Sequence, residues 1–206
     1  MGTYAEKVTL DAALIAPAPA SVELAVAAAL PLAACAARQA LGLLGLAPGD
    51  TLLITGGVGA VGGFAVQLAA HRGLRVVAGV RARDTDLARR LGAGDILDQD
   101  TPADRLTPLA DGILHTAGDT GVIAALRDGG RFVSVATLPS ARRGITPRMS
   151  YVEQDGAAFA ELSALVDAGV LTLRVADIMP LQAAAEAHTR LEAGGVRGKL
   201  LLSPLA

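Results

Sequence analysis

TLLITGGVGAVGGFAVQLAAHRGLRVVAGVR, residues 51–81, decides how this 206-residue chain folds. Thr51-Leu52-Leu53-Ile54-Thr55 is an apolar run whose length and β-branched content suit a buried parallel strand. Glycines follow at 57, 59 and 62, in the spacing G-x-G-x-x-G. Val61, Phe64, Ala65, Leu68 and Ala69 then recur at helical intervals, and Gly73 is placed to stop that helix. A second apolar run, Leu74 to Val80, completes a strand–helix–strand unit.

Each glycine has a physical use in such a unit. Gly57 is expected to permit the tight turn out of the strand, and Gly59 to let a pyrophosphate approach the backbone. Gly62 is expected to let helix and strand pack closely. The N–H groups of Ala60, Val61 and Gly62 open the helix at its positive end, where phosphates bind. A flexible turn in a glycine-rich chain is the alternative, and the flanking strands and helix favour a dinucleotide site. An NAD site would place an acid at the end of the second strand. This chain has Arg81 and Arg83 there, and the first acid is Asp84. Two guanidinium groups suit a 2′-phosphate, which points to NADP(H); solvated surface arginines are the other reading.

Composition narrows the class. The length accommodates one substantial domain with appendages. Hydrophobic residues make up 52% and aromatics 2%, so the core must be built from Ala, Val and Leu. A net charge of -2 provides no basic field for nucleic acid. The single cysteine, Cys35, excludes an internal disulfide and a cysteine-rich zinc site, and fits a reducing compartment. The opening MGTYAEKVTLDAA lacks the layout of a signal peptide, and Pro31 and Arg38 interrupt the apolar run that begins at Leu24. The expectation is a cytoplasmic α/β protein with no membrane segment.

Outward from the central unit, residues 1–20 read as extended, with Pro17 and Pro19 opposing a helix. Ser21 is the expected N-cap of a short helix, and Pro31 starts a second that runs to Leu44. Beyond Arg81, a helix is expected over 85–91, strands over 95–97 and 113–115, a helix over 120–126 and a strand over 131–136. Residues 98–109 are polar, with no strong pattern. Residues 145–152 suit an edge strand, although Pro147 weakens it. Helices over 157–168 and 181–193 and a strand over 199–202 complete the chain. This alternation implies a doubly wound parallel sheet of the Rossmann type. The expected division is 1–20, 21–170 and 171–206, the central part being the dinucleotide-binding domain.

TGGVGAVGGFAVQLA, ARRLGAGDILD, LRDGGRFVSV and the tail LVDAGVLTLRVADIMPLQAAAEAHTRLEAGGVRGKLLL resemble the zinc-independent medium-chain reductases, the quinone oxidoreductases and enoyl reductases. The opening GTYAEKVTLDAALIAPAP resembles the segment that leads into that family's nucleotide-binding domain. The resemblance implies an N-terminal barrel-like substrate domain before that point, of which this chain would keep only remnants at its two ends. It also implies hydride transfer without a metal, and a homodimer formed through the strand corresponding to 145–152. In the family a threonine of L-T-A-W-Q-A-L helps hold the nicotinamide, and the fourth strand usually ends in aspartate. This chain has Ala36 and Arg38 in the first motif and His115 in the second.

His115 and Tyr151 are therefore the candidate acid–base residues, the histidine because strand ends in such sheets face the ligand crevice. Packing or cofactor contact is the other role open to His115, and an interface role is open to Tyr151 and Glu153. His71, His188, Cys35 and Lys199 read as structural. Three functions remain open. The first is an oxidoreductase passing hydride from NADPH to a small quinone or enone. The second is a redox-silent cyclase or isomerase, and the third a binding module that pairs with a separate substrate domain.

Overall fold

The computed structural model describes residues 4–204. They divide into two compact units, Ala36–Val152 and Met1–Cys35 with Glu153–Ala206. Helix α1 spans Leu24–Ala27 and α2 spans Pro31–Leu44, so the division falls within α2. The stretch Leu24–Leu44 is apolar and long enough to cross a membrane by composition, and more than half of it is buried in the protein. Ala33, Ala34, Cys35, Ala37 and Ala40 are almost wholly inaccessible. Gly45, at φ +55°, ends α2 in the left-handed conformation. The Arg131 guanidinium donates to the carbonyls of Leu44 and Gly45 at 2.6 and 2.9 Å, setting a cation on the negative end of the helix.

The unit Ala36–Val152 is the expected Rossmann-type fold. Its strands are β1 (Thr51–Thr55), β2 (Arg75–Val80), β3 (Asp95–Asp98), β4 (Ala110–His115), β5 (Leu126–Ser134) and β6 (Arg148–Met149). They form one sheet in the order β3-β2-β1-β4-β5-β6 with every pair parallel. Helix α3 (Ala60–His71) joins β1 to β2, and α4 (Thr85–Arg90) joins β2 to β3. All five residues of β1 are buried, which accounts for a run with no polar alternation. Its neighbours place Leu53 beside Val77 on one side and Ile113 on the other. Phe132, Leu126 and Ile123 close the cluster around them. Each such side chain contributes about 1.5–3 kcal/mol by leaving water.

The other unit holds α5 (Gly156–Asp167), β7 (Val175–Pro180), α6 (Ala184–Glu192) and β8 (Lys199–Ser203), with β7 and β8 paired in parallel. Asp155 caps α5 by accepting the Ala158 N–H at 3.0 Å. At the other end of α5 the Asp167 carboxylate accepts the N–H groups of Ala20 and Ser21 at 3.2 and 2.8 Å. A Cβ on Gly156 would lie 2.4 Å from the Ala13 carbonyl oxygen, so a glycine is required where the N-terminal segment crosses this helix.

Several elements differ from the sequence reading. Ser21 does not cap α1: that helix begins after Glu23 with no side-chain cap. Residues 120–125 form a 3-10 helix rather than an α-helix, opened by Asp119 accepting the Gly121 N–H. The edge strand expected over 145–152 contracts to Arg148–Met149, because Pro147 has no N–H to offer the ladder. β7 has no counterpart among the expected strands.

Candidate functional site

The chain leaves β1 through a turn whose left-handed residue is Gly56, at φ +62°, rather than Gly57. Gly57 keeps an ordinary φ and instead permits close packing: its Cβ would sit 2.9 Å from that of Ala78 on β2, and its N–H bonds the Gly79 carbonyl. Gly59 is the N-cap of α3, so no side chain covers the first-turn amides of Ala60, Val61 and Gly62. Gly62 carries the tightest constraint, since a Cβ there would lie 2.1 Å from the Gly56 oxygen. The turn is thus a backbone cradle at the positive end of a twelve-residue helix. A diphosphate fits that donor set.

Beside it lies a crevice of about 310 Å³ at the carboxyl ends of β1 to β4. Thr55, Gly79, Leu97, Thr101, Ala117 and Val122 are among its walls. The sheet order reverses between β1 and β4, and open parallel sheets bind ligands at such a switch point. Asp98, Asp100 and Asp119 also line the crevice. Two of them serve their own turns, Asp98 accepting the Asp100 N–H at 3.1 Å and Asp119 that of Gly121 at 2.7 Å. The residues from 98 to 106 in this wall carried no periodic signal, and their short polar turns are visible only once β3 is placed.

The carboxyl ends of β1 and β4 are joined through side chains. The Thr55 hydroxyl oxygen lies 3.0 Å from His115 Nδ1 and accepts the Thr116 and Ala117 N–H groups at 3.0 and 3.4 Å. The Thr116 hydroxyl in turn donates to the Thr55 carbonyl at 2.6 Å. His115 is 0% exposed, stacks obliquely on Phe132 and turns Nε2 toward the Thr137 hydroxyl at 3.4 Å. Burial lowers its pKa from the ordinary value of 6.5, and the opposing pull of the Asp119 carboxylate is the smaller effect.

The remaining candidates are dispersed. Arg81 and Arg83 are exposed just beyond β2, outside the crevice walls, and Arg83 Nε stands 3.9 Å from the Asp84 carboxylate. Tyr151 lies on the coil after β6 and is 80% exposed. Cys35 is buried, its thiol 3.8 Å from the Glu153 carbonyl. His188 pairs with the Tyr4 hydroxyl at 3.2 Å. In the unit that contains α5, an apolar groove of about 440 Å³ runs past Leu10, Leu14, Leu24 and Phe159. The Ser163 hydroxyl in that groove is bonded to the Pro17 carbonyl.

Comparison with known proteins places this geometry in a lineage. A family model described as zinc-binding dehydrogenase matches residues 91–202. A chloroplastic quinone-oxidoreductase homolog of Spinacia oleracea is 39% identical over 107 residues, covering 49% of this chain and 32% of that protein. The 2-methylene-furan-3-one reductase of Solanum lycopersicum is 28% identical over 212 residues, covering 99% of this chain and 53% of its own length. The chain thus spans about half, or less, of these relatives. Among solved structures, an NAD-dependent alcohol dehydrogenase superposes with a TM-score of 0.86 at 31% identity, over 98% of this chain and 65% of its own. The mycobacterial Rv1454c, solved with NADPH, gives 0.83 at 26% identity, over 98% and 72%. The zinc of the family's description finds no donor set here, because no group of three His, Cys, Asp or Glu side chains among the described residues is placed to hold a metal ion. With its glycine cradle, reversed sheet order and matching C-terminal half, the chain belongs to the zinc-binding dehydrogenase family, among the quinone oxidoreductase and enoyl reductase relatives.

Proposed function

We propose that the chain is the nucleotide-binding part of an NADP(H)-dependent oxidoreductase that reduces a small quinone or an enone C=C bond. The observation that carries this reading is the cradle formed by Gly56, Gly59 and Gly62 beside the crevice at the β1–β4 switch point. Bound there, a nicotinamide nucleotide would supply the hydride. The protein's part is to receive the diphosphate on the amides of Ala60 to Gly62 and to seat the adenosine end among Gly79, Leu97 and Thr101. Arg81 and Arg83, exposed beyond the end of β2, are within the segment where a 2′-phosphate would be read. Support for the substrate class comes from what the relatives are named for, a quinone-oxidoreductase homolog and a 2-methylene-furan-3-one reductase. No zinc takes part in this reading, and the setting is a reducing cytoplasm.

A second reading of the cofactor rests on the crevice acids. Asp98 and Asp100 would favour a ribose with free hydroxyls, and hence NAD(H). Fluorescence titration separates the two. Arg81→Ala should weaken NADPH binding roughly tenfold, as loss of a charge-assisted hydrogen bond does, and leave NADH within about twofold. Equal effects on both would remove the 2′-phosphate role of Arg81. Failure of the intact protein to bind either nucleotide at millimolar concentration would refute the oxidoreductase reading. NADPH oxidation in the presence of a simple quinone tests turnover.

A further inference from the structure

His115 is buried at the centre of the switch point, and its hydrogen bonds can be assigned by counting protons. The Thr55 hydroxyl oxygen has two acceptor sites and one proton. Backbone amides can only donate, so the N–H groups of Thr116 and Ala117 occupy the acceptor sites. The remaining hydroxyl proton then has one partner, His115 Nδ1 at 3.0 Å. Nδ1 is therefore an acceptor, and the ring proton sits on Nε2, facing Thr137. Such a ring has no free nitrogen to present to a substrate, and it is 0% exposed.

We propose that His115 is a positioning residue for the nucleotide crevice: by taking the Thr55 proton it turns that oxygen toward the Thr116 and Ala117 amides and holds the 116–119 segment as the crevice wall. The inference rests on reading the crevice as a nucleotide site. Adding a proton to Nδ1 would leave two donors facing each other across the 3.0 Å contact. The Thr55 hydroxyl would have to rotate and accept from the ring, giving up one of its two amides. Acid should therefore loosen the wall. The groups that face the ring are the Thr55 hydroxyl from β1, Phe132 from β5 and Thr137 beyond it, while Ser134 of β5 bonds the His115 main-chain carbonyl and the Asp119 carboxylate after β4 acts on the ring through space. Asp119 is the charged member of that set.

The test compares the intact protein with His115→Asn, whose amide oxygen can replace Nδ1 as acceptor without titrating, and with His115→Leu, which cannot accept. Long-range proton–nitrogen spectra at pH 7 should show the His115 ring, identified by its loss in His115→Asn, protonated on Nε2. A proton on Nδ1 would overturn the proposal. Hydrogen-exchange protection of the Thr116 and Ala117 amides should persist in His115→Asn and fall roughly three- to tenfold in His115→Leu, the worth of a buried hydrogen bond. Below pH 6.5 that protection should fall in the intact protein and hold in His115→Asn. Any other group that takes up a proton in this range, the 2′-phosphate included, affects both proteins alike and drops out of the comparison. NADPH affinity should follow the same pattern. Should His115→Leu fail to fold, the acid comparison decides, and an equal response in both proteins would overturn the proposal. If NADPH does not bind at all, the nucleotide reading falls, while the tautomer and the amide protection still judge His115.

Discussion

Gly62 and Gly59 stand three residues apart in one turn and make opposite demands. A Cβ on Gly62 would meet the Gly56 oxygen at 2.1 Å, a distance that no side-chain movement can relieve. Gly62→Ala should therefore cost about 1–3 kcal/mol as turn and helix are forced apart, read as a lowered urea midpoint, together with loss of NADPH binding. Gly59 keeps φ at −68°, and its Cβ would stand 3.1 Å from the same oxygen. Gly59→Ala should cost less, about 0.5–1 kcal/mol, as alanine is the poorer N-cap, and should weaken NADPH binding, because the methyl group would stand beside the first-turn amides proposed to receive the diphosphate. A normal affinity in folded Gly59→Ala would move the diphosphate away from this cradle. The spacing of these glycines was legible in the sequence, but their roles were not. Neighbouring glycines look alike until the backbone shows that Gly56 holds the left-handed turn and that Gly57 rests on Ala78. The contact between Thr55 and His115 was equally hidden, because only the register of β1 on β4 joins residues 60 positions apart.

Apolar runs proved the dependable signal at the level of elements. β1 and β2 are buried along nearly their whole length and were readable from continuous aliphatic sequence, whereas β4 was read only over 113–115, because Asp111 and Gly112 interrupt its apolar run. β7, Val175–Pro180, was not, because its exposure alternates and a proline ends it. The 98–109 stretch shows the converse: polar and without period, it supplies much of the crevice wall, as surface loops on a rigid sheet often do. β6 is a two-residue strand on the outer edge of the sheet, paired to β5 through Val133 with Arg148 and Ser134 with Met149. An edge of this kind offers unpaired backbone groups to a second copy, and we propose a homodimer through residues 145–152. Tyr151, 80% exposed beside it, has little to do with folding of the chain. Tyr151→Asp should convert the dimer to monomer in sedimentation at micromolar concentration, with an unchanged melting temperature. An intact protein that sediments solely as monomer would end that proposal.

For the molecule as a whole, acid is the condition that tests most of these contacts together. Asp111 accepts the Thr51 N–H and pairs with Arg127 at 2.6 Å, and those bonds hold its carboxyl below the ordinary 3.8. Its contribution is present above pH 3.8 and is lost as pH falls through the lower, folded value. His115 acts earlier. Its pKa also lies below the unfolded value, so the unfolded chain takes up the proton first and stability declines as pH falls below 6.5. Urea midpoints measured from pH 7 downward should show two declines, the first absent in His115→Asn and the second reduced in Asp111→Asn. The sheet order also has a consequence for how the protein is made. Of the six strands in this sheet β1 leaves the ribosome first, yet it lies in the interior of the sheet, and the neighbour that covers its second side comes 60 residues later. At about 5–20 residues per second, roughly 3–12 s pass with that aliphatic flank bare. Slowing translation between the codons for Gly56 and His115 should lengthen that interval and lower the soluble yield.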